Sequence, residues 1–321
     1  MIDNLVNPLL EIDTNFYHYV SARSKAHALK SDTHLIGGKL DYAFDGDSEC
    51  RQKLGSMFGI SKVLKPVYGF INENYRMMYG SSAKAGSLKF SAAYEATVKC
   101  AERLKMVLPV VCVLASSEKK IYSLEGEGVN EPCVVLTSGL AECGDDKLLK
   151  FLIGRELGKI QNGHCLYRQA AAFYGLAGID SDRRETITDT NIKNSLIEWC
   201  RLSDITADRA GIISLDEPAD FVKVALKSLS NGFTGIYTPE VLSETIINDG
   251  YEKLHFTPAR SISLSSDVSP LVRRLYCGLE FINCEVLYNR RTDATPTVAH
   301  LVNKQAMEIR CVIISEGGVR Q

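Results

Sequence analysis

The residues best placed for chemistry fall in two short stretches, FLIGRELGKIQNGH at 151–164 and LIEWCRLSDITADRAGI at 196–212. In the first, Arg155 and Lys159 stand four residues apart with Glu156 between them; in the second, Asp204 and Asp208 repeat the four-residue step. On a helix that step puts both members of a pair on one face, a turn apart. The set is two cations and three carboxylates, which can form an ion cluster and offers Glu156 as a base. It does not ligate a metal through its cations: arginine stays protonated and has no lone pair, and lysine would have to lose a proton against a pKa of about 10.4. Two positive charges one turn apart can, however, replace a divalent cation electrostatically. The expected pairs are Arg155 with Asp208 and Lys159 with Asp204, with Glu156 shared. The competing arrangement leaves both long side chains pointing to solvent, where ion pairs contribute only roughly 0–1 kcal/mol.

Other reactive side chains lie close by. His164 at the end of the first stretch reads as a hydrogen-bonded structural residue or a catalytic one, and Cys165 as a core residue or a thiol nucleophile. A relocated metal site drawn from Glu156, His164, Asp204 and Asp208 stays open as a third arrangement. GEGVNEP at 126–132 lacks the Gly-Lys-Ser/Thr ending of a phosphate loop and reads as a hairpin. The doublets Arg183–Arg184, Arg273–Arg274 and Arg290–Arg291 lack aromatic stacking partners and read as solvated faces.

These residues need helices to hold them. Residues 147–166 read as one long helix entered at Asp145 and Asp146, and 192–213 as a second. Between 110 and 137, three β-branched runs (110–114, 120–124 and 133–137) predict a small sheet. Helices are expected over 1–30, over 49–78 with a break at Pro66, over 91–105, 218–229 and 268–287, with a turn at 80–86 and a loop at 178–191. The stretches 290–300 and 315–321 read as flexible tails.

The chain has 321 residues, 45% of them hydrophobic, and a formal charge of −2 from 37 basic and 39 acidic side chains. That is enough apolar surface for a large core, and the balance of charge argues against nucleic acid as a partner. The first 20 residues lack the pattern of a secretory signal. The apolar stretches at 106–115 and 170–177 are shorter than the roughly 20 residues a membrane span needs. Ten cysteines form no CxxC pair. The expectation is a soluble, cytoplasmic protein with reduced thiols.

Taken in order, LPVVCVL, PCVVLTSGL, FLIGRELGKIQNGHCLYR and LIEWCRLSDITADRAGI resemble the HtpX-like zinc metallopeptidases of the gluzincin type, in their soluble bacterial form. The resemblance spans about residues 50–260, with LHFTPAR at 254–260 as a faint match to a later HP-containing segment. It implies an α+β gluzincin-like fold, a small β-sheet packed against two long helices with extra helices at both ends. It divides the chain into an N-terminal helical extension (1–85), a metallopeptidase-like domain (86–265) and a C-terminal helical segment with a tail (266–321).

In active relatives, HExxH supplies two zinc ligands and a base, and a downstream glutamate supplies the third ligand. By position, Arg155 and Lys159 stand where the histidines would be, Glu156 where the base would be, and Asp204 where the glutamate ligand would be. Asp208 stands at the position that orients a histidine, and His164 matches a histidine the family often keeps. Ser123, Leu124 and Glu125 fall where relatives carry a substrate-aligning strand edge. The implied function is a catalytically inactive peptidase homologue with no zinc or other cofactor, binding a protein or peptide through the former substrate cleft or pairing with an active relative. The alternative is an active metallopeptidase or other hydrolase with a rearranged metal site.

Overall fold

The computed structural model describes residues 35–36, 39–124, 131–176, 185–229 and 270–315. The helix expected over 1–30, Glu125, most of the GEGVNEP segment, Arg183–Arg184 and the LHFTPAR stretch lie outside the described residues.

The fold is α+β, mostly helical around a four-stranded mixed sheet. Strands β3 (Ser82–Lys84), β4 (Val110–Leu114), β5 (Ile121–Leu124) and β6 (Cys133–Thr137) lie in the order β3-β4-β6-β5. β4 and β6 run parallel with Val110 opposite Cys133, and β5 pairs antiparallel to β6 with Ser123 opposite Val134. β3 occupies the expected turn at 80–86, pairing Ala83 with Val113 and adding a fourth strand to the expected three. A two-residue ribbon, β1 (Leu35–Ile36) with β2 (Lys39–Leu40), precedes it.

The central strands are apolar on both faces because both are covered. Val111, Val113, Val134 and Leu136 face one apolar cluster, while Cys112, Leu124, Cys133 and Val135 face a second. The second is closed by α2 (Ile60–Ser81) through Leu64, Val67 and Ile71, and by Trp199. Residues 45–81 form two helices, α1 (Asp45–Ser56) and α2. The break falls at Gly59, whose φ of 90° suits glycine, and not at Pro66, which sits inside α2.

The first cluster is organised by α3 (Ser91–Leu104), α5 (Asp146–Gln161) and α7 (Thr190–Ser214), with the short α4 (Ser138–Ala141) leading into α5. Asp145 caps α5 by accepting from the Leu148 amide at 3.0 Å, and Asp189 caps α7 through the amides of Asn191 and Ile192. Inside α5, Leu148, Phe151, Ile153, Leu157 and Ile160 are all buried. Each fully buried large apolar side chain contributes about 1.5–3 kcal/mol.

Two glycines let α5 approach α7 closely. A Cβ on Gly154 would lie 2.2 Å from Ser214 Oγ, and one on Gly158 would lie 2.3 Å from Ala210 Cβ. The helix expected over 147–166 is interrupted: it ends at Gln161, Gly163 takes φ 66°, and α6 (Cys165–Phe173) starts in a new direction. Gly163 breaks it because its backbone turns left-handed where a helix would need the right-handed well.

After α7 come α8 (Phe221–Leu229), α9 (Pro270–Ile282), α10 (Glu285–Arg290) and α11 (Lys304–Ser315). The stretch at 290–300, expected as a flexible tail, is anchored at its start, while most of 292–300 is exposed. Arg290 and Arg291 are buried, Arg290 against Asp41 at 2.5 Å, while Arg291 donates to the carbonyls of Ile213, Leu215 and Asp216 at the end of α7. Arg291 supplies donors for carbonyls in the last turn of α7 and just past it.

Candidate functional site

Because α5 is buried on nearly every side, Arg155, Glu156 and Lys159 are buried with it. Charges there must be paired. Arg155 Nη2 donates to Asp204 Oδ1 at 2.9 Å, and its Nε lies 2.9 Å from Asp208 Oδ1, an ion pair without hydrogen-bond alignment. The expected pairing of Arg155 with Asp208 is present, and Asp204 shares the same guanidinium.

Lys159 takes the shared Glu156 without the expected Asp204. Its Nζ donates to Glu156 Oε1 at 2.5 Å, and Asp204 is served by arginines instead. The other Glu156 oxygen, Oε2, accepts from Ser123 Oγ at 2.8 Å. Ser123 comes from β5, the outer strand of the sheet. Its hydroxyl also lies 3.5 Å from Cys165 Sγ, and its carbonyl accepts from Gln169 Nε2 at 3.3 Å. Both oxygens of the Glu156 carboxylate are therefore engaged.

Two further arginines complete the cluster. Arg274 of α9 forks onto Asp208, Nε to Oδ2 at 2.7 Å and Nη2 to Oδ1 at 2.6 Å. Arg168 of α6 donates through Nη1 to the Cys200 carbonyl at 3.2 Å and places Nη2 3.3 Å from Asp204 Oδ1. Arg274 corrects the reading of Arg273–Arg274 as a solvated face. Its step to the buried Cys277 and Phe281, three and seven residues on, is the helical spacing that points it inward. Arg168 follows Cys165 by three residues, the same kind of signal.

The field inside the cluster is positive. Burial would raise the Asp204 carboxyl, but Arg168, Arg274, Arg155 and Lys159 outweigh it and hold the group below the usual aspartate range. Burial pushes the Lys159 ammonium below its usual value, Arg168 and Arg155 push the same way, and Glu156 resists. Burial would lower Arg168 and Arg274, yet Asp204 raises the first and Asp208 the second.

His164 sits apart. It precedes α6, its Nε2 lies 2.9 Å from Asp47 Oδ2, and its ring packs edge-on against Trp199 at 5.3 Å between centroids. The same Asp47 oxygen accepts from Thr206 Oγ1 at 2.7 Å. Burial would raise Asp47, but His164 and Thr206 bring it below its ordinary value. Among the described residues, no hydrogen bond or ion pair joins His164 to Glu156, Asp204 or Asp208. Among the same residues, no group of three or more His, Cys, Asp and Glu side chains is placed to hold a metal ion.

No helix among the described residues is long and apolar enough to cross a membrane. No protein-family model matches the chain, and no solved structure matches it. A curated relative does: the Arabidopsis thaliana protein named plastoglobule-localized metallopeptidase 48, chloroplastic, is 22% identical over 189 residues, covering 58% of this chain and 55% of the relative. The chain thus spans about half the length of the curated relative it matches, and the relationship is metallopeptidase-like.

Proposed function

We propose that the chain is an inactive homologue of HtpX-like zinc peptidases, working in the cytoplasm as a binding or regulatory protein through the cleft beside α5 and α7. The observation that carries this reading is the state of Arg155 and Lys159. Both are buried one turn apart around Glu156, and both are paired with carboxylates of the cluster. If α5 is the HExxH-equivalent helix, cations fill the positions of two zinc ligands.

Donor chemistry supports the same conclusion. Zinc requires lone pairs, whereas Arg155 and a protonated Lys159 present only N–H donors. Glu156 is held by Lys159 and Ser123, so both oxygens of a base at this position are occupied by donors. A rearranged metal site finds no favouring observation, since His164 is engaged with Asp47 away from the three carboxylates. The Ser123 carbonyl on the outer strand is already taken by Gln169, which shifts recognition from strand pairing toward the charged cluster.

Metal analysis of native protein purified without added metal tests the reading. Less than about 0.1 zinc per chain is expected, with no peptidase activity, because the donor set lacks imidazole or thiolate. One zinc per chain would overturn it.

A further inference from the structure

We infer that the cluster around Asp204 is a carboxylate-binding site suited to the C-terminal end of a peptide. This rests on the reading of the α5/α7 cleft as a binding site and names the ligand chemistry it takes. Four cations, Arg155, Lys159, Arg168 and Arg274, face three carboxylates, Glu156, Asp204 and Asp208. With all seven ionised, the cluster holds one positive charge in excess.

The geometry shows where the surplus lies. Lys159 is matched by Glu156, and Arg274 by both oxygens of Asp208. Arg155, whose Nε also lies 2.9 Å from Asp208 Oδ1, and Arg168 converge on one oxygen of Asp204, at 2.9 and 3.3 Å. Two guanidiniums sharing one oxygen repel each other, and the repulsion is strong where water is scarce. An anion placed between them relieves it and accepts from a planar fork of donors.

The site is reachable. The side chains of Asp204, Arg168 and Arg155 are 21%, 18% and 11% exposed, in contrast to the closed Arg209–Glu308 pair at 0% and 7%. A surplus of one charge selects a monoanion. Inorganic phosphate, in part a dianion near neutral pH, overshoots it. A carboxylate fits, and the C-terminal end of a peptide supplies one.

Lys159 tunes the affinity. The groups facing it are Glu156 and Arg155 on α5, Arg168 on α6 and Asp204 on α7. An incoming carboxylate favours its ammonium form, so binding takes up a proton wherever Lys159 is neutral, and affinity falls as pH rises through its lowered pKa.

Calorimetric titration of the full chain with acetyl-dialanine as the free acid, its C-terminal amide, sodium acetate and inorganic phosphate tests the inference. The free acid is expected to bind at least about tenfold more tightly than the amide, and Arg168→Gln, checked for native melting, to weaken it by a similar factor. Acetate binding as tightly as the peptide acid also supports a carboxylate site and confines recognition to the anion. An amide equal to the acid, phosphate binding as tightly as the acid, a folded Arg168→Gln with native affinity, or no binding at all would overturn the inference. Should Arg168→Gln fail to fold, the acid-versus-amide comparison on the native chain decides. A zinc-free protein that ignores the acid removes this inference alone, whereas one zinc per chain removes the reading beneath it.

Discussion

Along α7, Arg209 and Glu308 form a one-to-one pair at 2.5 Å, while Asp204 and Asp208 gather three arginines. The first pair is closed: Arg209 is fully buried, lies against the rings of Phe44 and Phe281, and donates to the Tyr42 carbonyl. The second region is partly open and mismatched in charge. A buried matched pair fixes how helices meet, because breaking it leaves a lone charge in apolar surroundings. A mismatched, accessible cluster costs the fold stability unless something else supplies the missing charge, as the proposed carboxylate would.

Substitutions can break that contrast. Arg209→Met leaves Glu308 buried without its partner and should destabilise the protein by about 3–5 kcal/mol in urea unfolding. A loss below about 1 kcal/mol would erase the distinction between the two regions. Gly154→Val should cost about 1–3 kcal/mol through overpacking, because its Cβ would collide with Ser214 and push α5 from α7. It should also weaken carboxylate binding, since the distance between Arg155 and Asp204 depends on that approach.

Arg155→Met should cost less, about 1–2 kcal/mol, because Arg168 still serves Asp204 and Arg274 still serves Asp208. A loss as large as that of Arg209→Met would show that the cluster is a rigid structural pair after all. The smallest effect is in pH. The folded pKa of Asp204 is depressed, so its contribution is present above the ordinary aspartate value of about 3.9 and is lost as pH falls below it toward the folded value. Asp204→Asn should flatten that acid limb of a melting-temperature profile; an unchanged limb would assign it to other carboxylates.

The α5/α7 frame was legible because its signals are local. Apolar spacing, the Asp145 and Asp189 caps and the four-residue steps of Arg155/Lys159 and Asp204/Asp208 all lie within single helices. The pairing of Arg155 with Asp208, which joins two helices, followed from the positions that the peptidase resemblance assigns to them. The exchange of Lys159 from Asp204 to Glu156 did not, because it depends on Arg168 and Arg155 crowding Asp204 from another direction. Arg274 reaches Asp208 from 66 positions away, a separation at which only packing brings residues together. The break at Gly163 was hidden inside an unbroken apolar pattern that extends from α5 into α6. Arg290 and Arg291 read as tail residues because their partners, Asp41 and the end of α7, are equally remote in sequence.

The central claim is that Arg155 and Lys159 stand in the space of a metal ion. Zinc stoichiometry of the folded variant carrying Arg155→His, Lys159→His and Asp204→Glu tests it most directly. Two imidazoles one turn apart and a longer carboxylate restore a zinc donor set, so about one zinc per chain is expected where the native protein takes none. A folded variant that still takes no zinc would contradict the claim that the two cations fill a metal's place.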